Sequence, residues 1–139
     1  MQFSNLNESV SVVIPGYNVA SYIEASLASV YAQTHKPREV ICINDGSTDD
    51  TLALLHRLQN IYPDLIIIDQ PNGGACSARN AGLHAATGTW VQFFDGDDVI
   101  LTQIAAGLHL DQHHRQFAGV FQTVFFAQRD EHRLVFAHQ

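Results

Sequence analysis

Three carboxylates crowd into four residues, Asp95, Asp97 and Asp98 around Gly96, directly after the run Val91–Phe94 (VQFF). Unpartnered acids this close repel one another and resist full ionisation. Two readings are open. The aspartates can cap backbone N–H groups in an exposed turn. Alternatively they hold a hard divalent cation, for which carboxylate oxygens suit Mg2+ or Mn2+ with positions left open for substrate phosphates. Gly96 allows a turn tight enough for both flanking carboxylates to face one way.

Other residues carry weaker signals. Asp45 follows an apolar run and could accept hydrogen bonds from a nucleobase or a ribose, whereas Asp49 and Asp50 suit a helix start. Tyr17 reads either as core or as a stacking plate, and for an isolated tyrosine core is the expectation. Gly73-Gly74 before a helix resembles a phosphate cradle, although neither GxGxxG nor GxxxxGK[ST] is present. Arg79, one turn further on, could neutralise a phosphate or pair with an acid. His109 and His113 have the i, i+4 spacing of a metal face but lack HExxH, and read as solvated surface. No GxSxG elbow supports nucleophilic catalysis, and acids so close in sequence suit a metal better than direct glycoside hydrolysis.

The elements that must position these groups can be read from the pattern. Val10–Pro15 (VSVVIP), Val40–Asn44 (VICIN), Leu65–Ile68 (LIII) and Trp90–Phe94 read as strands. Ser21-x-x-Glu24 reads as a capping box for a helix carrying Ile23, Leu27 and Val30, which His35-Lys36-Pro37 ends. Ser47 or Thr48 is expected to cap a second helix with Leu54, Leu58 and Ile61 on one face. Ala75–Ala86 reads as a small-residue helix stopped by Gly88, Thr102 starts another helix to about His114, and GVFQTVFFAQ and RLVFA are two strands around a polar turn. Repeated strand–helix alternation predicts an α/β domain with a mainly parallel sheet, and ligands sit at the carboxyl ends of such strands. Pro15-Gly16-Tyr17-Asn18, Asp45-Gly46-Ser47 and Asp95-Gly96-Asp97-Asp98 all fall at those ends.

Composition narrows the partners. The 139 residues fit one domain, with hydrophobic residues at 46% and a formal net charge of −7. Lys36 is the only lysine, so no basic patch offers nucleic-acid binding. No apolar stretch is long enough to span a bilayer, MQFSNLNES is not a signal peptide, and Cys42 and Cys76 read as reduced thiols in a cytoplasmic protein.

The blocks VSVVIPGYNVASYIEASLASVYAQT, VICINDGSTDDT and NGGACSARNAGLHAATGTWVQFFDGDD resemble, in order and spacing, the N-terminal part of a family 2 glycosyltransferase of the GT-A fold. The resemblance runs from about Val10 to Asp98. It implies a nucleotide-sugar donor, usually a UDP-sugar, a Mn2+ or Mg2+ ion, and inverting transfer to a saccharide or lipid-linked acceptor. It places Tyr17 beside the uracil, a hydrogen bond from the base on Asp45, and Pro15, Asn18, Ser47 and Arg79 around the donor. Asp95 and Asp97 match the DxD motif, with Asp97 the main metal ligand, Asp95 reaching ribose or metal-bound water, and Asp98 auxiliary. The family's acceptor half and catalytic base follow well beyond this motif, so the expectation is a donor-binding portion with its base beyond Gln139. The reduced thiols carry the expectation of a cytoplasmic location, with a position peripheral to the inner membrane face in view, and open sheet edges would favour a homo-oligomer. A non-catalytic nucleotide-binding module that kept the fold is the competing reading. A phospho-receiver would need a late-strand lysine, and a sugar nucleotidyltransferase a glycine-rich basic loop, and neither is present.

Overall fold

The computed structural model describes residues 9–33, 35–94, 125–130 and 133–137. Strands β1 (Val10–Gly16), β2 (Glu39–Asp45), β3 (Ile66–Gln70) and β4 (Trp90–Phe93) alternate with helices α1 (Ile23–Tyr31), α2 (Thr51–Leu58) and α3 (Ala75–Ala85). Two further strands follow, β5 (Phe125–Asp130) and β6 (Arg133–Ala137). All join one sheet in the order β3-β2-β1-β4-β5-β6. The first four strands are mutually parallel, and β5 and β6 add on antiparallel.

The period-2 geometry of a strand decides which residue meets which helix. Val10, Val12 and Ile14 of β1 and Val40 and Cys42 of β2 form one core with Ile23, Leu27 and Val30 of α1 and Leu55 and Leu58 of α2. The alternate positions Val13, Ile41, Ile43, Val91 and Phe93 form a second core with Ala78 of α3. Both faces of β1 and β2 are therefore covered, which explains their nearly unbroken apolar sequence. α3 rests unusually close to the sheet. A Cβ on Gly82 would lie 2.2 Å from Val13 Cγ1 and 2.8 Å from Ile43 Cδ1.

A proline in a central strand removes a ladder donor. In β1 the carbonyls of Ser9 and Val13 accept from Trp90 and Phe94, and that of Val10 accepts from Arg38. Odd positions thus face β4 and even positions face β2. Pro15 is odd, and its pairing with β4 has already ended at Val13. Among the described residues its missing N–H faces no ladder partner, while its register with Ile43 of β2 is kept.

Several expectations shift. The capping box at Ser21 does not form: Val19 carbonyl receives the N–H groups of Tyr22 and Ile23, and α1 starts at Ile23 with no side-chain cap. Beyond its end, Lys36 Nζ donates to the Tyr31 carbonyl at 2.8 Å. α2 starts at Thr51 rather than after Ser47 or Thr48, because those two are engaged by Asn18. Its buried face is Thr51, Leu55 and Leu58, with Leu54 at its margin; Ile61 lies past the helix and is 63% exposed. The third strand moves to Ile66–Gln70, which brings Gln70 to its tip. The two late strands are present as a hairpin-paired extension. The helix expected over Thr102–His114, including His109 and His113, lies outside the described residues.

Candidate functional site

Parallel pairing brings the carboxyl ends of β1, β2, β3 and β4 to one edge, where three loops meet. Asp45 ends β2 opposite Gln70, the last residue of β3. It is 4% exposed, and its carboxylate is heavily used. Oδ1 accepts from Gln70 Nε2 at 2.9 Å and from Gly73 N at 2.9 Å, while Oδ2 accepts from Gly74 N at 3.1 Å. The Gln70 bond above all, then the Gly73 amide, hold this carboxyl below the usual carboxylate range despite its burial. It is therefore ionised at neutral pH.

This geometry corrects the phosphate-cradle reading of Gly73-Gly74. A helix N-terminus attracts an anion, and Asp45 already supplies one to both of those amides. The loop can reach Asp45 because Gly46 sits at φ +69 and lacks a side chain; a Cβ there would be 2.5 Å from Asn72 N. Glycine is required on both counts.

The loop after β1 is tied down separately. Asn18 adopts φ 53, a left-handed conformation that asparagine tolerates better than most residues. Its N–H donates to Ser47 Oγ at 3.0 Å, and its Oδ1 accepts from Thr48 N at 2.8 Å and Asp49 N at 3.2 Å. Asp49 in turn accepts from Ala20 N at 3.2 Å and Thr51 N at 2.9 Å, which makes it the start signal of α2. Val19 turns inward, and Tyr17 is left 50% exposed. The core expectation for Tyr17 is thus overturned: β1 ends at Gly16, and Val19 fills the core instead.

Among the other candidates, Pro15 is buried in β1 and Ser47 is bonded to Asn18. Arg79 is half-buried one turn into α3. Asp95, Asp97 and Asp98 follow Phe94 in the chain and lie outside the described residues. Among the described residues, no three His, Cys, Asp or Glu side chains gather as a metal site. Cys42 is buried, its thiol pKa pushed up by burial, and Cys76 is exposed; both are free thiols, as expected.

The model of the glycosyl transferase family 2 matches residues 11–139. The chain belongs to glycosyltransferase family 2. A glycosyltransferase of Nostoc sp. without assigned specificity is 46% identical over 91 residues, covering 65% of this chain and 28% of that protein. Staphylococcus aureus TarS residues 1–349 in complex with UDP-GlcNAc superpose with a TM-score of 0.64 at 34% identity, over 76% of this chain and 32% of that one. The mannosyltransferase PcManGT of Pyrobaculum calidifontis, in complex with GDP-Man and Mn2+, gives 0.66 at 32% identity, over 71% and 30%. The family 2 chain thus has the GT-A α/β fold, and it spans under a third of each of these relatives. Among the described residues, no helix is long and apolar enough to cross a membrane.

Sequence reasoning missed the partners within this family 2 edge. Gln70 carried no motif, and its role emerges only from the strand register that sets it against Asp45. Asn18 was expected around the donor, and its bonds to the Ser47–Asp49 turn were invisible without the loop geometry.

Proposed function

We propose that this chain carries the nucleotide-sugar donor site of a metal-dependent, inverting glycosyltransferase. The observation that carries the reading is Asp45, an ionised and nearly buried carboxylate at the carboxyl edge of a parallel sheet in a family 2 chain. A carboxylate offers about four acceptor positions, and the described residues use three of them here. A donor N–H on a base such as uracil satisfies the fourth. Tyr17, half-exposed on the adjoining loop, offers a stacking face to that base.

The donor is a UDP-sugar in this reading, supported by the S. aureus neighbour in complex with UDP-GlcNAc. Asp97, with Asp95, holds the metal, and the neighbour bound to GDP-Man and Mn2+ supports a divalent ion. Their oxygen donors fit Mg2+ or Mn2+. When bound, such an ion offsets the charge on the departing nucleoside diphosphate. Pro15, Asn18, Ser47, Arg79 and Asp95 complete the donor side. The acceptor is a hydroxyl of a saccharide or lipid-linked molecule, whose proton needs a general base. We assign that base to the part of the relatives' length that this chain does not cover.

Calorimetric titration of UDP with and without Mn2+, repeated on Asp97→Ala, tests the reading. UDP affinity is expected to fall by more than about tenfold without the metal and in the variant. UDP binding indifferent to both would instead favour a nucleotide-binding module that only retains the fold.

A further inference from the structure

We infer that Gln70 is a positioning residue for nucleobase recognition: it fixes the roll of the Asp45 carboxylate and leaves Oδ2 as the oxygen with acceptor capacity for the ligand. The inference rests on the donor-site reading above and assigns a role to a residue that reading does not use. A carboxylate's terminal torsion is broad, so the plane of the group is set by the donors around it. Here those donors are unevenly shared. Among the described residues, Oδ1 accepts from Gln70 Nε2 and Gly73 N, whereas Oδ2 accepts from Gly74 N alone.

The placement of Gln70 is built into the sheet. Asp45 and Gln70 are the last paired residues of β2 and β3. Both continue the alternation of Ile41, Ile43 and Ile68 that faces α3. The same Nε2 lies 3.4 Å from Ser77 Oγ in the first turn of α3. Gln70 therefore links the strand tip, the carboxylate and the helix start at one point. The loop between them is closely packed at two points: a Cβ on Gly73 would meet Ser77 Oγ at 2.7 Å and one on Gly46 would meet Asn72 N at 2.5 Å. A rolled Asp45 would drop the Gly73 or Gly74 amide. Gln70 thus acts on the ligand through Asp45, without touching it.

The consequence is selective. An ionised carboxylate with one acceptor position favours a base with an N–H at that edge, as uracil has at N3, over cytosine, whose N3 is itself an acceptor. Losing the fixed roll should weaken recognition of the base while sparing the diphosphate.

The test uses the 139-residue chain, Gln70→Leu and the isosteric Gln70→Glu, each confirmed folded by thermal denaturation. UDP, CDP and inorganic pyrophosphate are titrated in the presence of Mn2+. UDP affinity is expected to fall about tenfold in both variants, the UDP over CDP preference to contract towards parity, and pyrophosphate affinity to stay within about twofold. Equal losses for UDP and pyrophosphate, or an unchanged UDP over CDP ratio, overturn the inference while leaving the donor site standing. A wild-type chain that binds none of these probes overturns the donor-site reading and this inference with it.

Discussion

The two ends of the sheet each hold a carboxylate wrapped in donors, and they differ in what surrounds it. At the amino end, Glu39 Oε1 accepts from Ser11 Oγ at 2.7 Å, from Thr87 Oγ1 at 2.9 Å and from Thr87 N. Ser11 Oγ also accepts from Gly88 N at 2.8 Å, and Arg38 Nε donates to Thr87 Oγ1 at 3.0 Å. That network ties β1 and β2 to the connection between α3 and β4. At the carboxyl end, Asp45 gathers Gln70, Gly73 and Gly74 in the same way, beside a tyrosine ring half in solvent. One chemistry, a carboxylate capturing loop amides, serves as a staple at one end and, in the proposed reading, as a platform for the nucleotide at the other.

If that contrast holds, substitutions at the amino end should affect folding, and those at the carboxyl end should affect nucleotide binding. At the amino end the largest stability effect is expected at Gly88. A Cβ there would lie 2.6 Å from Ser11 Oγ and 2.7 Å from Ser11 N, and the backbone atom cannot give way. Gly88→Ala should lower the unfolding free energy by about 2–3 kcal/mol in urea titrations. UDP affinity measured well below the melting temperature should be unchanged. At the other end, Gly74 has open space around it but sits at φ +91. Its ψ of 168 puts it in a region essentially restricted to glycine, so Gly74→Ala should cost about 1–3 kcal/mol of stability and, unlike Gly88→Ala, weaken UDP binding by misplacing an amide that Asp45 holds. An unchanged UDP affinity in Gly74→Ala, or a lost one in Gly88→Ala, would erase the distinction.

Next in size are the carboxylates themselves. Asp45→Asn keeps the shape but sets an NH2 group against donors that now meet a carboxylate. We expect UDP affinity to drop about tenfold or more. Glu39→Gln makes the matching change at the amino end, and should cost about 1–2 kcal/mol of stability with no change in UDP affinity. A Glu39 variant that lost nucleotide binding would show that the two ends are coupled through the strands.

The same contrast explains what the residues disclosed in advance. Strand identities and the parallel class were legible because Val, Ile and Cys run unbroken through β1 and β2 where both faces are covered. The convergence of Tyr17 and Asp45 at one edge was legible because parallel topology sends all the carboxyl ends the same way. Helix starts were less so. Ser21, Ser47 and Thr48 are all competent caps, and which residue serves depends on loop contacts such as Asn18 with Thr48 and Asp49 with Ala20. Such contacts join residues about thirty positions apart and leave no local pattern. The expectation of a core position for an isolated Tyr17 failed for a related reason. Whether the ring enters the core is set by where β1 stops, and the next residue to turn inward is Val19.

The smallest effect, and the one that separates charge from shape at the amino end, is the response to acid. Burial pushes the Glu39 carboxyl up, but the Thr87 amide, the Ser11 and Thr87 hydroxyls and nearby Arg38 outweigh it and leave its pKa lowered. Asp49 follows the same balance, with burial outweighed by the bonds from Thr51 and Ala20. A carboxyl whose folded pKa is depressed contributes stability that is present above its unfolded value and lost as pH falls through the folded one. Urea unfolding free energies should therefore be nearly flat from neutral pH down to about 5 and decline below about 4. Over that decline the gap between wild type and Glu39→Gln should close, because a protonated Glu39 carries no more charge than the glutamine that replaces it. A gap that persisted once the pH had fallen through the folded pKa of Glu39 would mean that its network depends on side-chain shape rather than on its charge.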